Sequence, residues 1–86
     1  MTFRVMRMRE LYPSAFKHGV TEADMKHALK HPIQIIDQDD GTRLYLGAGT
    51  DAVLLEVITI PRSNGSELAI HAMKMRPQYA NLLPRE

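Results

Sequence analysis

Apolar positions along the chain follow two different periods, and the change between them falls at Pro32. Upstream of it, Met25, Ala28 and Leu29 recur at the i, i+3, i+4 spacing of one helix face. Thr21 followed by Asp24 reads as a variant capping box, with Val20 just ahead, placed to staple onto Met25. The helix must stop near Lys30 or His31, because proline disfavours helical geometry in the residue before it. Closer to the start the pattern is ambiguous. Residues 3–6 alternate as a short edge strand would, whereas residues 6–12 also fit a helix, with Pro13 at its break or opening the next one. Residues 14–18 read as helical, closed by Gly19 as the C′ residue.

Beyond Pro32 the period becomes 2. Ile33, Ile35 and Ile36 make a short strand over 33–37, and Asp39-Asp40-Gly41 is a hairpin signal. Residues 42–46 return, and the segment 47–51, with Gly47 and Gly49, forms a second turn. Residues 52–60 are the longest apolar run and read as a central strand buried on both faces. Asn64-Gly65 turns the chain into a fourth strand over 67–72. A short helical turn then starts at Pro77 and closes at Leu82–Leu83. The predicted fold is α+β, with N-terminal helices on one face of a four-stranded antiparallel meander and the other face open. Strict alternation puts Leu44, Leu46, Leu68 and Ile70 against the helices. It puts Arg43, Tyr45 and His71 on the open face, bordered by Lys74, Arg76 and Tyr79.

Composition narrows the chemistry. At 86 residues there is room for one domain, spanning 1–86. A hydrophobic share of 44% with 24% charged residues is that of a globular chain and excludes a disordered one. Aromatics at 6%, with no Trp, argue against a platform on which bases stack. The absence of cysteine excludes disulfides, thiolate zinc sites and a cysteine nucleophile. The start lacks a secretory leader, and the apolar run over 52–58 is too short and too charged to cross a bilayer, so a cytoplasmic location without membrane contact is expected.

The net charge of +1 hides a gradient: residues 1–30 carry +3, residues 31–60 carry −4 and residues 61–86 carry +2. A fold that joins the two ends would make a basic face. On that face Arg43 and Arg76 could grip a phosphodiester, with Lys74 as a point charge and His71 as a general base or acid. These groups could equally be ordinary solvated side chains. His27 and His31 stand at i, i+4 spacing, but no third ligand follows, so no metal and no cofactor are expected. His18 ahead of Gly19 is explained by capping of a helix C-terminus.

Several local strings suggest a family. Residues 17–24, K-H-G-V-T-E-A-D, resemble the K-H-G-[VI]-[ST]-x-x-[DE] segment of BrnT-type toxins. His31-Pro32 stands where they have [ND]-P, and Gly47 with Leu54-Leu55-Glu56-Val57 resembles their I-G…LLVV stretch. Residues 70–76 resemble a variant of their I-I-S-A-R ending, with Met73 in the register of that arginine and no counterpart to the later Glu-Arg pair. The likeness spans roughly residues 17–79. It implies a RelE-like fold and a bacterial ribonuclease toxin held inactive by a cognate antitoxin, with RNA as the other partner. It also implies roles for Arg43, Arg76 and Tyr79 in catalysis.

Combined with the residue chemistry, the expected reaction is RNA cleavage without a metal. Arg43 and Arg76 hold the phosphate, His71 or Tyr79 moves the proton, and Lys74 and Tyr45 contact the substrate. The rival is a non-catalytic domain that docks a protein on its open sheet face. Monomer and homodimer both stay open.

Overall fold

Pro13 and Pro32 mark the first two decisions of the backbone in the computed structural model, which describes residues 10–84. Tyr12, before Pro13, is extended at φ −80° and ψ 150°, as the proline ring requires. Residues 10–12 therefore cannot continue a helix, and Glu10–Leu11 forms strand β1 instead. Pro13–Phe16 is a single 3₁₀ turn, shorter than the helix read over 14–18. The strand expected over 3–6, and the first part of the helix weighed for 6–12, lie outside the described residues.

Helix α1 (Glu22–Lys30) begins at a true N-cap: Thr21 Oγ1 accepts the Asp24 N–H at 3.1 Å. Only half of the capping box forms. The Asp24 carboxylate turns away and accepts from Thr50 N at 2.8 Å and Thr50 Oγ1 at 2.6 Å, tying the helix start to a distant loop. Met25, Ala28 and Leu29 form its buried stripe, as their spacing predicts.

After Pro32 come β2 (Pro32–Asp37), β3 (Arg43–Ala48), β4 (Leu54–Pro61) and β5 (Glu67–Lys74), and a second 3₁₀ segment occupies Pro77–Leu82. The class is α+β. Each of β2 to β5 pairs antiparallel with the next, but β1 adds a parallel edge strand, with Glu10 opposite Leu68 and Leu11 opposite Ala69. Among the described residues the sheet is thus five-stranded and mixed, in the order β1-β5-β4-β3-β2, and not a four-stranded antiparallel meander. β4 is its central strand. Among the described residues no helix is long and apolar enough to cross a membrane.

Faces follow from register, since directly opposed residues share a side of the sheet. Tyr45 and Val57 are opposed, as are Val57 and Ala72, and all three lie in one core with Ala15, Met25, Ala28, Leu29, Leu55 and Ala69. This is the helix side. Tyr45, 2% exposed, is therefore core, and Arg43, two residues away on the same strand, shares its side. The expectation that Arg43 and Tyr45 face an open surface is corrected. Leu44 and Leu46 take the opposite side instead. A Tyr ring fills the space under a short, alanine-bearing helix better than Leu does, provided its hydroxyl finds a partner. A bulge between Ile58 and Thr59 inserts Ile70 into β5 as an extra residue, so Glu67 and Ala69 stay on the helix side while His71 crosses over.

The second face is not open. Gln34, Leu46, Glu56 and Met73 form one row across four strands. The C-terminal segment is bound at both ends of that row's middle: Arg76 N donates to Glu56 Oε1 at 3.0 Å, and Gln34 Nε2 donates to the Leu82 carbonyl at 2.9 Å. It thus crosses above Leu46, which has no exposure.

One close approach sets the helix on the sheet. A Cβ added at Gly47 would lie 2.8 Å from the Ala28 carbonyl oxygen and 3.2 Å from Pro32 Cα, both backbone atoms. Gly47→Ala is expected to destabilise the fold by about 1–3 kcal/mol, because neither atom can move without shifting α1. Urea unfolding of the variant beside Gly41→Ala, which meets no atom within 4 Å, separates this contact from ordinary turn strain.

Candidate functional site

Two ionic clusters sit on opposite faces of the sheet, each built around one carboxylate. On the helix side, Glu67 Oε1 accepts from Tyr45 Oη at 2.6 Å and Thr59 Oγ1 at 2.9 Å. Its Oε2 accepts from Arg43 Nη1 at 3.1 Å, and Arg43 Nε donates to Asp37 Oδ1 at 2.6 Å. The bond to Asp37, followed by the one to Tyr45, pushes the Arg43 guanidinium further into its charged form. Here Tyr45 and Arg43 satisfy a partly buried acid, which accounts for both without a substrate.

The second cluster is centred on Glu56, whose side chain has no exposure although it stands mid-strand in β4. Arg76 closes on it with Nε 3.0 Å from Oε1 and Nη2 2.8 Å from Oε2, in a two-point grip, and the Arg76 N–H adds a third bond. His71 Nε2 lies 3.2 Å from Oε2. Burial, the largest influence, would raise the Glu56 carboxyl. The bonds from the Arg76 side chain and backbone and from His71 outweigh it and hold the group below the usual glutamate range. The carboxylate is therefore ionised and can only accept. Consequently His71 carries its proton on Nε2 when neutral, which leaves Nδ1 as the basic nitrogen.

Two rings complete this cluster. His18, in the loop after the first 3₁₀ turn, stands edge-on to His71 with 5.6 Å between ring centroids. Tyr79 lies under Arg76, whose Cζ is 5.7 Å from the ring centroid. The Arg76 side chain keeps 42% of its surface exposed, so part of the guanidinium remains available to a ligand. His18 also opens onto a cleft of about 360 Å³ whose walls include Val20, Val53, Leu55, Met73 and Lys74.

Of the residues singled out from sequence, the fold brings His71, Arg76 and Tyr79 together and leaves Lys74 on the cleft beside them. Arg43 and Tyr45 lie across the sheet and cannot share a ligand with Arg76. Sequence reasoning missed Glu56 and His18. A lone acid inside the most apolar strand was the available signal for Glu56, since an acid there must be paired. His27 and His31 lie tilted against each other with 5.0 Å between centroids, and His27 Nδ1 bonds the Ala48 carbonyl at 2.8 Å, so these rings have local partners. Among the described residues no three His, Cys, Asp or Glu side chains converge to hold a metal ion.

Folding lowers the Glu56 pKa, so its pairing stabilises the fold above the unfolded glutamate pKa and is lost as pH falls through the lower folded value. Glu56→Gln is expected to cost about 1–3 kcal/mol at neutral pH. The gap to wild type should close progressively below about pH 4.5, where wild type loses the same charge. Asp24 and Asp40 are also held low, by Thr50 and Thr42 bonds respectively, and both chains share that acid dependence. Urea midpoints of both proteins across acid pH give the difference that belongs to Glu56 alone.

No family model, curated protein or solved structure matches the chain, so its function rests on the chemistry of this cluster.

Proposed function

We propose that the protein is an endoribonuclease that needs no metal, the toxin of a toxin–antitoxin pair, working through His71 and His18. The observation that carries this reading is the imidazole pair: two rings 5.6 Å apart, one of them oriented by a buried carboxylate. Cleavage of RNA by its own 2′-hydroxyl needs one base within reach of that hydroxyl and one acid within reach of the leaving oxygen, and two neighbouring imidazoles can supply both. His71 Nδ1 takes the 2′-hydroxyl proton, and the 2′-oxygen forms a bond to phosphorus. The bond to the 5′-oxygen breaks, and His18 in its protonated form supplies the proton to that leaving oxygen. The products are a 2′,3′-cyclic phosphate and a 5′-hydroxyl. Glu56 stabilises the imidazolium that forms on His71, and the exposed part of Arg76 meets the charge building on the phosphoryl oxygens. Lys74, on the adjoining cleft, attracts the next stretch of backbone. The toxin role draws on the resemblance of residues 17–79 to BrnT-type proteins, whose ribonuclease activity is checked by a cognate antitoxin.

A docking domain without catalysis is the second reading, favoured by the exposed isoleucines of β2, Ile33 at 49% and Ile35 at 48%.

Single-turnover cleavage of RNA in EDTA separates the two. His18→Asn and His71→Asn are each expected to slow cleavage by about 100- to 10,000-fold with circular dichroism unchanged. His31→Asn, which removes a distant exposed ring, should leave the rate as it is. If both site variants cut like wild type, the histidine mechanism is wrong. If wild type itself neither cuts RNA nor slows growth on expression, the docking reading stands ahead.

A further inference from the structure

β2 is an edge of the sheet with nothing paired to its outer side among the described residues, and two of its three exposed positions, Ile33 and Ile35, are apolar. Natural edges are usually blunted by lysine, by an interior proline or by a cover of some kind. In β2 Pro32 stands only at the first position, no lysine lies within the strand, and the one bulge falls at that same end, between Pro32 and Gln34. Ile33 and Ile35 alternate outward with half of their surface in water, and Ile35 lies on the helix side through its register with Tyr45.

We infer that this edge pairs antiparallel with β2 of a second copy, about a two-fold axis at Gln34. The sequence around that residue is self-complementary in this one register. Ile33 comes opposite Ile35 of the partner on either side of the axis, whereas Pro32, which the bulge before Gln34 leaves on the side of Gly47, takes no part in the match. Charges match as well. Lys30 and His31 precede the strand, whereas Asp37, Asp39 and Asp40 follow or end it, so antiparallel pairing sets each basic end beside the other copy's acidic end. Moving the axis to Ile35 would put Ile33 against Asp37 and lose the apolar match. The product is a continuous ten-stranded sheet. A six-residue edge contact buries less than the roughly 1,600 Å² of a standard interface, so association on the order of tens of micromolar is expected.

The axis gives a direct test, because the chain contains no cysteine. Gln34→Cys places two thiols on self-paired residues with Cα atoms about 4.5–5.5 Å apart, within disulfide range. Ile36→Cys places its pair on the same face but about 13 Å apart along the strands. Mild oxidation at about 100 µM protein should cross-link the first as a dimer and leave the second monomeric. Sedimentation velocity of the wild type should show a concentration-dependent dimer. Ile35→Lys should raise its dissociation constant about tenfold or more, whereas Ile60→Lys, at a comparably exposed site in β4, should not. A wild type that stays monomeric at that concentration overturns the inference, as does equal cross-linking at 34 and 36 or undiminished association of Ile35→Lys.

Discussion

A carboxylate with no access to water stands in the central strand, and the C-terminal third of the structure is arranged around it. Glu56 occupies a position that an alternating apolar strand would give to Leu or Val, and its burial as an ion is affordable only with several donors in contact. Arg76 supplies three hydrogens, two from the guanidinium and one from the backbone, and His71 supplies another. Drawing Arg76 inward turns the chain back beneath the sheet as soon as β5 ends. The segment after it then reaches Gln34 on β2 and closes over Leu46. The same ionised oxygen fixes the tautomer of His71. One acid therefore shapes the second face and prepares its most reactive side chain.

Glu67 plays the corresponding part on the helix side, in a less enclosed setting. It collects the Tyr45 hydroxyl, Thr59 and Arg43 at the margin of the core, beyond the reach of α1. Tyr45 can then lie fully buried with its polar end satisfied, which lets a nine-residue helix with three buried residues, Met25, Ala28 and Leu29, cover the sheet. Each face thus uses one arginine to neutralise its central acid, and Arg43 also pairs with Asp37. Arg76 keeps a share of its guanidinium in solvent, whereas Arg43 is held between two carboxylates, so the two are unequal as ligand-binding groups despite equal formal charge.

The bulge at Ile70 links these two clusters. Without it, Glu67 and His71 would lie on the same side of β5, and either the Tyr45 network or the Glu56 network would lose its member. One inserted residue sends Glu67 to one face and His71 to the other. It also brings His71 toward the strand edge where His18 stands, which is how two histidines 53 positions apart in the sequence come to share a site.

Local chemistry was legible in the residues themselves. The Thr21 cap, the Met25-Ala28-Leu29 stripe, the stop at Pro32, the turns at Gly41 and Gly65 and the helical turn after Pro77 all depend on neighbours within a few positions, and each appears where the pattern places it; the turn expected over 47–51 does not, because Gly47 and Ala48 belong to β3 and Ala52 takes the positive φ. The central place of β4 was readable for the same reason, from the longest apolar run in the chain, interrupted only by Glu56 and Thr59. The faces were not. Leu and Tyr alternate in β3 with equal claims to the core, and only the depth of the space under α1 and the presence of Glu67 at its rim decide that Tyr45 goes in. The parallel strand β1 was hidden because two residues carry no period, and its partner lies nearly sixty positions away. The site divided in the same way: His71, Arg76 and Tyr79 are close in sequence and could be grouped by proximity. Glu56 and His18 join them only through strand pairing and an inserted residue, long-range geometry that no local pattern of side chains encodes.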